Sequence, residues 1–313
     1  MFKQMLAACV VLALAVGSLL AQSNDPTVVT ARKTLQTYDK AIITLAAVVK
    51  VEVKGGEVSG SNQERKTQCI AAIVDPSGLV ITSLTNLGPK MRLNRGGQTL
   101  EVEFQVQEVK YRLTDGTEVP ARVVLKDDDL DVAFLAPLKP LDKATEAKIA
   151  AIPMIDAVPQ PEPLDRTIMI SRTSEDLNYI PTLNIARIVS IVSTPRTCYL
   201  SSVGGLGVPV FNHQGKMLGM VCRCVKTEGN EGGPSTGSTM LNQLILPAAD
   251  ILKLVPQAKE EAKKPVEDEK KPEEGEKKSA EPEKKPAAEK KPAEPAKKSA
   301  GPAKKPAAEK KPA

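Results

Sequence analysis

The sequence predicts an all-β fold of antiparallel strands. Short apolar runs rich in Val, Ile and Leu recur along the chain, and turn residues separate them. The clearest turns are Asp75-Pro76-Ser77-Gly78, Asp115-Gly116 and Asn212-His213-Gln214-Gly215, each between two such runs. The chain has no Trp, four Phe and four Tyr, so its core must be aliphatic, which suits strands. Residues 27–256, about 230 residues, suffice for one large core or two small barrels.

The first 21 residues predict a secretory signal peptide. Lys3 supplies a positive start, Leu6–Leu20 is apolar, and Ala21 is a plausible last residue before cleavage. The apolar run of about 15 residues is short for a transmembrane helix, which needs about 20. An uncleaved anchor, or a lipoprotein processed at Leu6-Ala7-Ala8-Cys9, is the alternative. We therefore expect an exported protein of a bacterial periplasm, cell envelope or exterior, with no transmembrane helix after signal cleavage.

Residues 257–313 predict a disordered tail of Lys, Pro, Ala and Glu. The unit Glu-Lys-Lys-Pro-Ala recurs, and large apolar residues are almost absent, so the tail cannot bury enough surface to fold. Residues 259–283 carry seven Lys and ten acids, whereas residues 284–313 carry ten Lys and three acids. The basic end is suited to contact with a polyanion, and a solvated spacer is the alternative. Without aromatic residues in the tail, we expect no sequence-specific recognition of nucleic acid.

The individual elements follow from hydrophobic periodicity and from the turns. We expect a helix over Thr27–Thr44, a loop over Gly55–Lys66, a connection over Pro137–Arg166 and a short helix over Pro247–Leu254. The expected strands and hairpins are Ala46–Val53, Gln68–Leu84, Leu100–Val109, Arg112–Val124, Leu130–Leu135, Thr167–Ser171, Asn184–Ser193, Cys198–Ser201, Val208–Phe211, Met217–Cys222 and Thr239–Leu246.

Three motifs, in this order, resemble the trypsin-like serine proteases and most closely their HtrA branch. Gly78-Leu79-Val80-Ile81-Thr82 is similar to the hairpin before the catalytic histidine, and Asp131-Val132-Ala133-Phe134-Leu135 to the segment that begins with the catalytic aspartate. Gly204–Val221 resembles the nucleophile segment, which reads Gly-Asn-Ser-Gly-Gly-Pro-Leu and then Asn-x-x-Gly. The resemblance covers about residues 40–255. It implies two six-stranded antiparallel β-barrels of trypsin-like type with short terminal helices.

The same resemblance implies that the catalytic triad is degenerate. Thr85, or a residue directly beside it, stands at the histidine position, Asp131 at the aspartate position and Leu206 at the serine position. A leucine has no lone pair to attack a carbonyl group, and a threonine is no base near neutral pH. Gly204 and Gly205 are candidates for a residual oxyanion turn, although Val208 replaces a family glycine nearby.

Other residues could carry a displaced site. Gly229-Asn230-Glu231-Gly232-Gly233-Pro234 also resembles the serine motif, with Glu231 for serine, but no Asn-x-x-Gly hairpin follows it. The one histidine, His213, lies in a turn after the nucleophile strand, where we expect it to be exposed. Ser201 or Ser202 with a lysine base is a further alternative, which the spacing does not support. Asp131 itself is also readable as a polar residue that caps a strand.

No cofactor or metal site is predicted. The chain has one Cys-x-Cys, no Cys-x-x-Cys pair and one histidine. Four cysteines follow the signal segment: Cys69, Cys198, Cys222 and Cys224. Export would allow disulfides, and either Cys222 or Cys224 is a candidate partner for Cys198; buried thiols are the alternative.

We therefore expect an exported pseudoprotease that lacks the catalytic His and Ser. Its former substrate groove would bind or scaffold an unknown protein or extended peptide by strand addition. The alternative is an active HtrA-like serine endopeptidase with a displaced triad.

Overall fold

The computed structural model describes residues 25–54, 63–88, 91–95, 98–154, 158–223 and 243–265. The predicted signal peptide, residues 266–313 of the predicted tail, Cys224 and the Glu231 motif lie outside the described residues. Among the described residues, no helix has both the length and the apolar character that a membrane span requires.

The first half of the domain is a closed antiparallel barrel of six strands. In sheet order β1-β2-β3-β7-β6-β5, the last strand pairs back with the first, and a further strand, β4, extends the sheet beside β5. Leu45, Val80 and Leu135 are among the aliphatic side chains that fill its interior. Its strands are β1 Ile42–Lys54, β2 Gln63–Asp75, β3 Leu79–Ser83, β4 Met91–Arg95, β5 Gln98–Arg112, β6 Glu118–Asp127 and β7 Val132–Pro137.

The second half is another closed barrel of six antiparallel strands, in the order β10-β13-β12-β11-β8-β9. Ile188, Val210 and Ile245 are buried inside it. The prediction of an all-β fold with two six-stranded barrels is confirmed. The strands are β8 Arg166–Arg172, β9 Pro181–Val192, β10 Cys198–Ser201, β11 Pro209–Asn212, β12 Met217–Cys222 and β13 Leu244–Pro247.

Helices are few and mostly short. In chain order they are α1 Pro26–Tyr38, α2 Leu84–Leu87, α3 Lys143–Glu146 and α4 Ala248–Lys263, with 3-10 turns at Asp39–Ala41 and Glu175–Leu177. A third core cluster lies between the barrels, where Ile81 and Phe134 of the first barrel pack with Ile168 and Phe211 of the second.

The predicted helix over Thr27–Thr44 was too long at its C-terminal end. The helix stops at Tyr38, and β1 begins at Ile42. Ile42 and Ile43 are fully buried and pair with β2, opposite Ala72 and Ala71. Sheet pairing of these β-branched residues therefore outweighs the helical periodicity.

The predicted helix over Pro247–Leu254 was too short. It continues to Lys263, so residues 257–263, which composition placed in the tail, are helical. Ala258 is fully buried, and the Arg122 guanidinium of β6 donates to carbonyl oxygens at the end of this helix. These contacts with the first barrel satisfy carbonyls that a helix C-terminus leaves without partners.

Candidate functional site

The candidate site lies where the two barrels meet. The first barrel contributes the short helix α2 and the β6–β7 turn. The second barrel contributes the loop before β11 and the residue that follows β12.

Asp131 accepts hydrogen bonds from both barrels. It is 6% exposed and ends the β6–β7 turn with a φ of +56°, a left-handed conformation that aspartate tolerates. Its Oδ1 accepts from the backbone N–H and the hydroxyl of Thr85, both at 2.8 Å. Its Oδ2 accepts from the Ser83 hydroxyl at 2.5 Å and from the backbone N–H of Arg223 at 2.7 Å. This buried carboxylate is thus held by four donors.

These bonds explain why a charged group is tolerated in the interior. A buried carboxylate is costly unless hydrogen bonds replace its hydration. The Thr85 N–H belongs to the first turn of α2, whose donors have no partner inside the helix. Arg223 follows the last residue of β12, so the same carboxylate joins the first barrel to the second.

Thr85, predicted at the histidine position, is in direct contact with Asp131. The next residue, Asn86, reaches the other barrel: its Nδ2 donates to the Leu206 carbonyl oxygen at 3.0 Å. The same amide lies 3.3 Å from the Thr82 hydroxyl. The structure therefore brings Thr85 together with Asp131, and it brings the Leu206 backbone against α2.

Gly207 allows the Leu206 loop to approach the first barrel this closely. Its φ is +79°, and a Cβ there would lie 2.5 Å from the Ile70 carbonyl oxygen and 2.7 Å from the Thr82 hydroxyl. The Gly207 N–H donates to the Val221 carbonyl oxygen at 2.8 Å, which fixes the loop to β12. Only a residue without a side chain fits between these groups.

The predicted oxyanion turn borders a side chain that sequence reasoning did not single out. A Cβ on Gly204 would lie 2.5 Å from Oε1 of Gln243, which directly precedes β13. Gly205 has a φ of +153°, and its carbonyl oxygen accepts from the Val208 N–H at 3.1 Å. The turn is therefore packed between Gln243 and the start of β11.

His213 is exposed in the β11–β12 turn. Strand β11, four residues long, separates this turn from the Leu206 loop. At about 3.3 Å per residue, that strand alone spans roughly 13 Å. The imidazole is not among the groups that contact Asp131.

The two serines considered as displaced nucleophiles make local hydrogen bonds to the backbone. The Ser201 hydroxyl accepts from the Val203 N–H at 3.3 Å. The Ser202 hydroxyl accepts from the Arg187 N–H at 3.1 Å. Both side chains thus satisfy backbone donors where β10 ends.

Cys198 and Cys222 are too far apart for a disulfide. Strand β13 lies between their strands, so two strand spacings, about 9.6 Å, separate β10 from β12. A disulfide needs Cα atoms within about 7 Å, and Cys69, Cys198 and Cys222 are all thiols. The possible pairing of Cys222 with Cys198 was therefore wrong.

The thiols of Cys69 and Cys222 have raised pKa values and are therefore poor nucleophiles. Burial raises the pKa of Cys222 well above its usual value, and the nearby Asp131 adds to the effect. Burial also raises the pKa of Cys69 to about 12, although a hydrogen bond with Thr82 acts in the opposite direction. Because the thiolate is the reactive form, neither residue is primed for catalysis.

Comparison with known proteins supports the fold assignment. Residues 69–220 match the family model of the trypsin-like peptidase domain. A comparison with curated proteins gives no match. The matched segment contains Thr85, Asp131 and Leu206 and spans parts of both barrels. The match over residues 69–220, together with the two six-stranded barrels, identifies this part of the chain as a trypsin-like peptidase domain.

Proposed function

We propose that this domain is a pseudoprotease of HtrA-like type, without the base and nucleophile of the fold. The observation that carries this proposal is the environment of Asp131. Its carboxylate accepts hydrogen bonds from two hydroxyls and two backbone N–H groups, and no imidazole contacts it among the described residues. In a working triad the aspartate holds a histidine, which takes the proton of the nucleophile.

The residues at the other two positions do not replace the missing chemistry. The Thr85 hydroxyl donates to Asp131 and is no base near neutral pH. Leu206 offers no nucleophilic atom, and its carbonyl oxygen is occupied by Asn86. Loss of one triad member already removes most of the activity of such enzymes, and two are absent here.

We infer that the remaining role is binding. An intact double barrel without a triad retains strand edges and loops on which an extended peptide or a protein can dock. The signal-like start of the sequence supports export to a bacterial periplasm, envelope or exterior, where the domain would act as a binding or scaffolding module. The lysines at the basic end of the tail would contact a polyanion.

A fluorophosphonate probe, which labels activated serines, tests the loss of catalysis. The purified chain should remain unlabelled while trypsin, treated in parallel, is labelled. Labelling that disappears in the His213→Ala variant would instead establish an active peptidase with a displaced triad.

A further inference from the structure

Strand β9 extends beyond its neighbour β10. Within β9, only the segment Ile188–Val192 pairs with β10, whereas β9 begins at Pro181. Where the ladder ends, the Ser202 N–H donates to the Arg187 carbonyl oxygen at 3.0 Å, but the Arg187 N–H donates to the Ser202 hydroxyl. Within the described part of the chain, the first half of β9 therefore has no strand on its β10 side.

Two residues point their backbone polar groups at this open edge. Along an antiparallel strand, alternate residues direct their N–H and C=O to the same neighbour. On the β8 side, the Ile180 carbonyl oxygen accepts from Thr173, and the Ile188 N–H donates to Asp165. Even-numbered residues thus face β8, which leaves the backbone groups of Leu183 and Ile185 on the opposite edge.

Exposed apolar side chains concentrate around β9. Among the described residues, seven large apolar side chains are exposed. Four of them lie on β9 or in the turn before it, and a fifth, Leu164, donates its N–H to the Ile188 carbonyl oxygen of β9. Such clustering marks an interaction site, whereas single exposed apolar residues do not. The five are Leu164, Leu177, Ile180, Ile185 and Val189.

A positive charge lies at the end of the same edge. The exposed Arg187 guanidinium donates to the Leu164 carbonyl oxygen at 3.2 Å, and no carboxylate of the described residues forms an ion pair with it. A guanidinium that is held by a neutral carbonyl can still pair with an acidic group. This charge therefore favours an acidic residue in whatever binds here.

We propose that the first half of β9 binds an extended peptide by strand addition. The peptide backbone pairs with Leu183 and Ile185, an apolar side chain packs beside Ile185, and an acidic side chain reaches Arg187. Main-chain pairing supplies the affinity of such a site, and the flanking side chains supply its preference. Among the described hydrogen bonds, none joins Leu183, Ile185 or Arg187 to Thr85, Asp131 or Leu206, so the proposal does not depend on whether the domain is catalytic.

Two proline variants test whether the edge is open. Proline is tolerated where a strand N–H faces solvent, but it removes a ladder bond elsewhere. Ile185→Pro should therefore leave the midpoint of urea unfolding nearly unchanged. Ala186→Pro, at a buried position that faces β8, should lower it clearly. Equal destabilisation by the two variants would show that the edge is already paired and would overturn the proposal.

Binding is tested with the full chain and a fluorescent heptapeptide of alternating threonine and valine with one glutamate, measured by fluorescence polarisation. We expect saturable binding that falls about tenfold or more with Ile185→Pro, with alternate N-methylation of the peptide, or with glutamine in place of the glutamate. Arg187→Gln should remove only the preference for glutamate.

Three results would overturn the peptide assignment. The first is no binding at millimolar peptide. The second is equal binding of the N-methylated peptide, because it cannot pair through its backbone. The third is self-association of the wild-type chain in sedimentation that Ile185→Pro abolishes, because the edge would then be occupied by a second copy. None of these results depends on the fluorophosphonate experiment.

Discussion

The Thr85 hydroxyl lies 2.8 Å from Oδ1 of Asp131, and the N–H of the same threonine donates to that oxygen at the same distance. The remaining oxygen binds Ser83 and the backbone of Arg223. Asp131 is thus a buried cap for α2 and a link between the two barrels. The residue predicted at the aspartate position of the triad therefore has structural hydrogen bonds here.

Replacing this carboxylate should destabilise the protein. In Asp131→Asn, an amide NH₂ would face donors in place of an acceptor oxygen, and the charge-assisted bonds would be lost. We expect the free energy of unfolding in urea to fall by about 2–4 kcal/mol. Asp128→Asn, an exposed position in the same turn, is the control and should change it by less than about 0.5 kcal/mol. Similar losses in both variants would refute the linking role of Asp131.

The close approach of the Leu206 loop to the first barrel predicts a strong effect of Gly207→Ala. The new methyl group would lie 2.5 Å from the Ile70 carbonyl oxygen, at a φ of +79° that alanine disfavours. We expect a loss of about 3 kcal/mol or more in the free energy of unfolding.

Gly116→Ala separates backbone strain from steric overlap. Gly116 has a φ of +84°, but nothing lies within 4 Å of a Cβ placed there. The Gly116→Ala variant should lose only about 1 kcal/mol in the free energy of unfolding. If the two glycine variants unfold at the same urea concentration, the loop does not pack on the first barrel as described.

An ion pair holds α4 against the first barrel and predicts a dependence on pH. Burial alone would raise the pKa of Asp75, but hydrogen bonds from Lys259 and Ser77 outweigh it, so the pKa is lowered. A carboxyl group whose pKa is lower in the folded protein than in the unfolded chain stabilises the fold at pH values above its unfolded pKa, near 3.9. This stabilisation is lost as the pH falls through the pKa of the folded protein.

Lys259→Gln should therefore be less stable than the wild type at pH 6, by about 1 kcal/mol or less for a pair partly open to solvent. The difference should disappear in urea unfolding near pH 2. Lys253→Gln removes an exposed lysine of the same helix, which pairs with Asp250, and should show little difference at either pH. If Lys259→Gln is less stable than the wild type by the same free energy at pH 6 and near pH 2, the loss of the pair with Asp75 is not the cause.

Local turn chemistry predicted the boundary between β2 and β3. Asp75 ends β2 and Leu79 begins β3 around the expected Pro-Ser-Gly turn, and the Asp75 carboxylate accepts from the Ser77 N–H at 3.0 Å. The last turns of α4 were not predictable in this way. Their Lys- and Glu-rich composition resembles the tail, and they are held by Arg122, which is about 140 residues away in sequence.

The candidate site was predictable only in part. Resemblance to a family pointed to Thr85 and Asp131, and the structure places these two side chains in contact. No local pattern marked Asn86 as a contact of the second barrel, because its hydrogen bond joins it to a residue 120 positions later. Contacts of this kind depend on how the two barrels pack and leave no local pattern.

Casein degradation by the purified chain, measured beside the Asp131→Ala and His213→Ala variants, tests whether this domain has lost catalysis. We expect no cleavage by the wild type above the level of a buffer blank, and the same for both variants. Cleavage by the wild type would contradict this expectation, and its loss in the variant of the exposed His213 would place that histidine in a working triad.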